Sequence, residues 1–310
     1  MPEFLVDGVR LVQADCLDLM AGMADDSVDL IATDPPYYKV VASEWDRQWK
    51  TKGDFMVWLD SVLAEFQRIL KPTGSLYLFC NPYLAAETEL LIGQRFRVLN
   101  HIVWKKNQGR WLGCNKESLT KFFPQTERII FAESRKPKPF VYEPVRAHLA
   151  DAVSGAGLAR KDIDVACGAQ MSSHWFGRSQ FSLPSREHYE TMQGLGLDLK
   201  PYDDLKSEFV ALRDGAKGGG RSFSVSKFVP YTDVWEFNTV KPYPGRHPCE
   251  KPLDLMRHII ESSSLPGDLV FDAFAGSGST AIAARDSGRQ FVGAEMGSAE
   301  FDQAVCRIET

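Results

Sequence analysis

The chain has 310 residues, of which 44% are apolar and 25% charged, with a formal net charge of −5 at pH 7. These values fit a globular protein with a sizeable core and exclude a disordered or fibrous one. No apolar run is long enough to span a membrane, the start lacks a secretory pattern, and the six cysteines show no Cys-x-x-Cys spacing, so a cytoplasmic protein with reduced thiols and no metal is expected.

Val9–Asp15 reads as a strand and Leu17–Met23 as a short helix. Val28–Asp34 is a strand apolar enough to be buried on both faces. It ends on Asp34, at the edge where open α/β sheets hold their ligands. Tyr38–Lys52, polar but carrying Trp45 and Trp49, reads as a loop over that edge. Helical apolar spacing predicts a helix over Asp54–Leu70, stopped by Lys71-Pro72-Thr73-Gly74. Ser75–Cys80 follows as a strand and Tyr83–Gly93 as a helix, with further strands near Arg97–Lys105 and Arg128–Glu133. From about Arg135 to Val229 the pattern breaks down, with Gly218-Gly219-Gly220 as a hinge. Alternation resumes at Thr232: a helix over Pro252–Ser264, a strand over Leu269–Phe274, a helix over Ser279–Ser287 and a strand over Gln290–Glu295. A last helix, Ser298–Glu309, takes Ser298 as its cap. The alternation describes one α/β sheet interrupted by an insertion.

Charge is uneven along the chain. Residues 105–230 hold 20 Lys/Arg against 14 Asp/Glu, and the remainder 16 against 27. The basic middle suits phosphate contact and equally suits an ordinary solvated face.

Two short segments carry chemistry. Asp34-Pro35-Pro36-Tyr37 places an acid, a stiff turn and an aromatic at a strand end. An exocyclic amine on a heteroaromatic base is a poor nucleophile because its lone pair is delocalised into the ring. Two acceptors, the Asp34 carboxylate and the Pro35 carbonyl, would take its hydrogens and localise that pair. Tyr37 offers a ring for stacking the base. Far downstream, Phe274-Ala275-Gly276-Ser277-Gly278 is a glycine-rich turn between a strand and a helix, suited to a nucleoside-bearing cofactor. Glu295, ending the next strand, can accept from ribose hydroxyls. The spacing is not Gly-x-Gly-x-x-Gly, which counts against a dinucleotide.

Taken in this order, the two segments resemble the beta group of amino-methylating DNA methyltransferases. Phe271–Gly278 is similar to that family's cofactor motif, with Ala273 where proline is usual. His247-Pro248-Cys249-Glu250-Lys251-Pro252 resembles its His-Pro-x-x-Lys-Pro element, and Ile102–Lys106 its Trp-Lys element. The resemblance implies a Rossmann-like α/β sheet dependent on S-adenosylmethionine, mostly parallel with one antiparallel strand, and an inserted target-recognition region. On that basis 1–106 is the catalytic half, 107–230 the DNA-binding insertion and 231–310 the cofactor half. Asp34, Pro35, Pro36 and Tyr37 are implied as catalytic. Asp15, Cys16, His247, Lys251, Pro252, Asp272, Phe274, Ala275, Gly276, Ser277, Gly278, Thr280, Glu295 and Met296 are implied as the cofactor site. Lys39, Trp45, Lys105, Lys106, Arg110, Asn115, Arg178 and Gln180 are candidates for contact with double-stranded DNA. Trp175, Phe176 and Phe181 read as subdomain core rather than DNA contacts.

Asp34 in the first motif position favours adenine N6 over cytosine N4 within the family. Methylation at cytosine C5 needs an attacking cysteine, and Cys249, followed by Glu250, makes a poor one. Protein glutamine or RNA as substrate is disfavoured by the motif order, and an idle DNA-binding regulator by the intact motif residues. The family also makes a homodimer plausible, and no appended C-terminal DNA-binding domain is expected.

Overall fold

The computed structural model describes residues 2–40, 44–107, 115–137, 140–178, 181–216, 221–225, 230–241, 243–244 and 246–310. They divide into two compact units, one of residues 1–137 with 221–310 and one of residues 138–220. Among the described residues, 115–137 and 221–225, which the family resemblance assigned to the insertion, belong to the sheet unit.

Strands β1 (Glu3–Val6), β2 (Val9–Gln13), β3 (Val28–Thr33), β4 (Leu70–Cys80), β5 (Phe96–Lys106), β6 (Thr126–Ser134), β7 (Val234–Phe237), β8 (Leu269–Asp272) and β9 (Gln290–Glu295) form one sheet. Their spatial order is β1-β2-β9-β8-β3-β4-β6-β5-β7. Strand β6 runs antiparallel to both β4 and β5. The unanticipated edge strand β1 adds a third antiparallel pairing, to β2. At the opposite edge β7, also unanticipated, pairs parallel to β5 through Val103↔Val234.

Helices cover both faces. One layer is α1 (Cys16–Ala21), α3 (Lys52–Ile69) and α4 (Ala85–Arg95), with the short α2 (Glu44–Arg47) between α1 and α3 in the chain. A second core lies on the other face. In β3, Ile31 packs into the core lined by α1, α3 and α4, while Leu30 and Ala32 face the second core. This alternation across two buried faces explains why β3 reads as a continuous apolar run. Helix α3 starts two residues earlier than its apolar spacing suggests because Thr51 and Asp54 close a reciprocal cap, at 3.1 and 3.0 Å.

In the unit 138–220, a sequence without visible periodicity folds into helices. These are α5 (Glu143–Gly155), α6 (Arg160–Cys167), α7 (Ser172–Phe176), α8 (Arg186–Gly194) and α9 (Tyr202–Ala216). Most are too short for a 3.6-residue stripe to repeat, which hid them from pattern reading. They share a core of their own around Leu149, Trp175, Phe176, Tyr189 and Leu205. The aromatics at 175 and 176 are buried there, as expected of core residues, and Phe181 packs against them partly buried.

The chain then returns to the sheet unit through β7, α10 (Leu253–Ser263), β8, α11 (Ser279–Asp286), β9 and α12 (Ser298–Ile308). The second core is lined by α10, α11 and α12. Ser298 is the first helical residue of α12; the cap position belongs to Gly297, which makes no side-chain bond. Among the described residues no helix is long and apolar enough to cross a membrane.

Phe66 of α3 is fully buried, and its ring meets Phe271 of β8 edge-on at 6.2 Å. Replacing it, Phe66→Ala, should cost about 3–5 kcal/mol in a denaturant melt. A loss below about 1 kcal/mol would contradict this packing.

Candidate active site

Strands β3 and β8 lie side by side and parallel, with Leu30 opposite Val270 and Ile31 opposite Phe271. Their carboxyl ends therefore emerge together, bringing the turns at 34–37 and 274–278 to one edge. Thr33 joins the two strand ends. Its hydroxyl donates to Asp272 Oδ1 at 2.6 Å and accepts from the Ala273 N–H at 3.2 Å. The remaining Asp272 oxygen accepts from Thr280 at 2.6 Å, and Oδ1 also accepts from the Phe274 N–H at 3.0 Å. Burial pushes this carboxyl up to about 6 even though these donors pull it down. Asp272 is thus a strut that shapes the glycine turn.

The two turns border a single cavity of about 610 Å³. On its cofactor side Gly276 and Gly278 hold φ of 51° and 76°, a left-handed backbone that glycine takes without strain. A Cβ on Gly278 would also sit 3.3 Å from Ile308. Glu295 bridges the turns after β8 and β9, accepting from the Gly276 N–H at 2.8 Å and the Gly297 N–H at 2.9 Å. Burial raises its pKa. Asp15 caps α1 by accepting from the Leu17 N–H at 2.7 Å, and the adjacent Cys16 thiol is pushed by burial to about 12. These two residues line the cavity with His247, Phe274, Ala275, Ser277, Thr280 and Met296. Pro252 and Gly278 do not; the first caps α10 and the second precedes α11. Arg307 of α12 pairs with Glu250 at 3.0 Å and donates to the Ser277 carbonyl, tying the 247–252 loop to the glycine turn.

A cavity of this size, with a left-handed glycine turn and a carboxylate at the next strand end, fits a nucleoside-bearing cofactor. The opposite wall is built for a different task. Lys251, expected on the cofactor side, makes an ion pair with Asp34 Oδ2 and lies 3.5 Å from Glu127 Oε2. Its ammonium sits over the Phe79 ring at 5.1 Å and the Tyr37 ring at 5.7 Å. Glu127 is paired in turn with Lys106, and the Tyr37 hydroxyl donates to it at 3.2 Å. The other Asp34 oxygen, Oδ1, is buried without a hydrogen-bond partner among the described residues. Burial raises the Asp34 pKa beyond what Lys251 takes back. Burial also acts upward on Glu127, but Lys251 and Lys106 together outweigh it and hold that carboxyl low. Against the burial cost to its own charge, the two carboxylates raise Lys251.

The loop after the 34–37 turn is held from beneath. The fully buried Asp46 accepts from the Tyr37 and Val40 N–H groups at 2.7 and 2.5 Å, which fixes Tyr38 and Lys39 in left-handed backbone. Trp45 borders the cavity, whereas Trp49 is buried against Phe55 and Trp58 at 5.0 and 4.6 Å. Trp58 continues that aromatic stack to Phe274 at 5.6 Å. Sequence reading missed Glu127, Asp46, Trp58 and Arg307. Only Trp58 carried a signal, as an aromatic on the apolar stripe of α3.

The DNA-contact candidates are scattered among different roles. Lys106 is taken up by Glu127 and Lys105 by Glu236, the latter at 2.7 Å on the surface. Lys39 is exposed and donates to the Lys50 carbonyl at 2.9 Å. Asn115 caps a short turn at 116–118. Arg178, in the helical unit, pairs with Glu143 at 2.9 Å. Arg110 and Gln180 lie outside the described residues. The Cys249 thiol is raised by burial to about 11, which opposes a nucleophilic thiolate.

Comparison with known proteins agrees with this geometry. Residues 28–305 match the N6/N4 family of DNA methylases. Over 300 residues the chain is 26% identical to the Type II methyltransferase M1.MboII of Moraxella bovis, covering 95% of this chain and 94% of that one. It is 25% identical to the DNA adenine methyltransferase YhdJ of Escherichia coli (strain K12), over 96% of this chain and 82% of the other. The fold is similar to the crystal structure of an M1.HpyAVI–SAM complex, with a TM-score of 0.56, 18% identity, and 97% and 100% of the two chains covered. The architecture is accordingly the Rossmann-like fold of methyltransferases, and this chain belongs to the N6/N4 family of DNA methylases.

Proposed function

We propose that this DNA methyltransferase transfers a methyl group from S-adenosylmethionine to the exocyclic N6 amine of an adenine flipped out of duplex DNA. The observation that carries the reading is the buried Asp34 Oδ1, without a partner among the described residues, on the wall of a cavity whose far side is a glycine turn. A buried acceptor left open is costly unless a ligand completes it. An amine N–H is such a ligand.

When bound, S-adenosylmethionine supplies an electrophilic methyl group; the 274–277 turn, Glu295 and Asp15 would hold it. Asp34 Oδ1 and the Pro35 carbonyl each accept one amine hydrogen, drawing the nitrogen toward a pyramidal shape with a localised lone pair. The diproline turn fixes these acceptors before the base arrives. Tyr37 stacks on the ring, and its hydroxyl bond to Glu127 keeps that ring from turning. After transfer, the surplus proton on nitrogen leaves through the Asp34 carboxylate. Extruding the base costs a few kcal/mol, offset by stacking and by the hydrogen bonds to the turn. Cytosine N4 presents the same two hydrogens, and the aspartate at position 34, by resemblance to the family, favours adenine.

The variant Asp34→Ala should abolish methyl transfer to DNA while leaving cofactor binding within a few-fold. Digestion of DNA methylated by the wild-type protein should release N6-methyladenine; N4-methylcytosine would overturn the base assignment.

A pH profile gives an independent check. Only the ionised Asp34 carboxylate leaves Oδ1 free to accept, so kcat/KM should fall as pH drops through the Asp34 pKa. Because burial raises that pKa, the acid limb should sit above the ordinary aspartate range. A flat profile down to that range would contradict the role.

A further inference from the structure

Four charged groups run from the surface to the catalytic turn with alternating sign: Lys106, Glu127, Lys251 and Asp34. Lys106 and Glu127 are brought side by side by the antiparallel pairing of β5 with β6, in which Trp104 stands opposite Glu127. Their formal charges cancel, so the row is neutral as a whole.

Glu127 belongs to neither the catalytic nor the cofactor motif. Nevertheless it touches both ends of the catalytic turn. Through Lys251 it reaches Asp34, and it accepts directly from the Tyr37 hydroxyl at 3.2 Å. Without a second anion, an ammonium with three donors beside a buried carboxylate would be drawn onto both of its oxygens. In the structure Lys251 instead sits between two carboxylates and bonds Asp34 through Oδ2, and Oδ1 has no partner among the described residues.

Resting on the reading of Asp34 as the amine acceptor, we infer that Glu127 is a positioning residue for methyl transfer. It holds Lys251 on a single oxygen of Asp34 and locks the Tyr37 ring through its hydroxyl. Lys106 completes the device by balancing the charge of Glu127, which makes it part of the site's interior and not a phosphate contact.

The titration of Asp34 reports this arrangement. The groups that face Asp34 are Lys251, Glu127 and the Tyr37 hydroxyl, with Asp272 and the thiols of Cys80 and Cys249 further off. Glu127 acts upward on the Asp34 carboxyl. Its loss therefore shifts the acid limb of the rate profile downward.

The test compares wild type, Glu127→Gln, Glu127→Asp and Asp34→Ala. Methyl transfer from tritiated S-adenosylmethionine to duplex DNA is measured across pH, with cofactor affinity by calorimetry and thermal melts alongside. Glu127→Gln should keep cofactor affinity within about threefold while kcat falls about tenfold or more, with its acid limb moved to lower pH. Glu127→Asp should regain part of that rate. Wild-type kcat with an unmoved limb in Glu127→Gln would overturn the inference. So would equal losses in rate and cofactor binding with no recovery in Glu127→Asp. If Glu127→Gln fails to fold, Glu127→Asp decides: a reduced kcat at unchanged cofactor affinity supports the role, and a wild-type kcat rejects it. Should Asp34→Ala lose transfer while Glu127→Gln matches wild type, only the positioning role fails. Should Asp34→Ala retain transfer, the acceptor reading fails and this inference with it.

Discussion

The pairing of β3 with β8 is the constraint on which the site depends. These strands are about 240 residues apart in the chain, yet they run parallel as neighbours and end at one edge of the sheet. The hydrogen bond from Thr33 to Asp272 locks their ends in register. The two turns of the proposed site are then placed locally: Asp34 follows Thr33 directly, and the glycine turn follows Asp272. Because both faces of the sheet are packed with helices, neither strand end can drift without opening a core. The site thus takes its rigidity from the fold.

Electrostatics then separates the two halves of the cavity. On the cofactor side carboxylates are spent on backbone N–H groups: Asp272 on the turn, Glu295 on Gly276 and Gly297, and Asp15 on its helix cap. On the catalytic side they are spent on ammonium groups. Isolated charges would be too costly to bury there, and the alternating row from Lys106 to Asp34 resolves that cost by mutual pairing. Lys251 shows the economy of the arrangement. It arrives on a loop whose histidine lines the cofactor wall, but its side chain crosses to the acceptor turn and neutralises it.

How far the sequence revealed this follows from how local each signal is. The turn at 34–37, the glycine turn and Glu295 were legible because strand, turn and chemistry are adjacent in the chain. The central strands were legible because burial on both faces leaves an unbroken apolar run, as in Val28–Thr33. Glu127 was not, since a lone acid on a strand acquires meaning only when β6 lies antiparallel to β4 and β5. The same holds for Asp46, whose carboxylate works on backbone six to nine residues away in a loop without periodicity. Edge strands β1 and β7, four residues each, were too short to stand out. In 138–220, helices α6, α7 and α8, of 8, 5 and 9 residues, fell below the length at which a stripe repeats. Trp45 and Trp49 looked alike in sequence, and only folding sent one to the cavity and the other into an aromatic core.

The most direct measurement is a structure of the protein with duplex DNA and a non-reactive analogue of S-adenosylmethionine. The account predicts an extruded base on Tyr37 whose amine nitrogen lies within about 3.2 Å of Asp34 Oδ1, with the analogue's sulfur-side atom facing that nitrogen from the 274–277 turn. A base seated elsewhere, or an analogue bound outside the shared cavity, would contradict it.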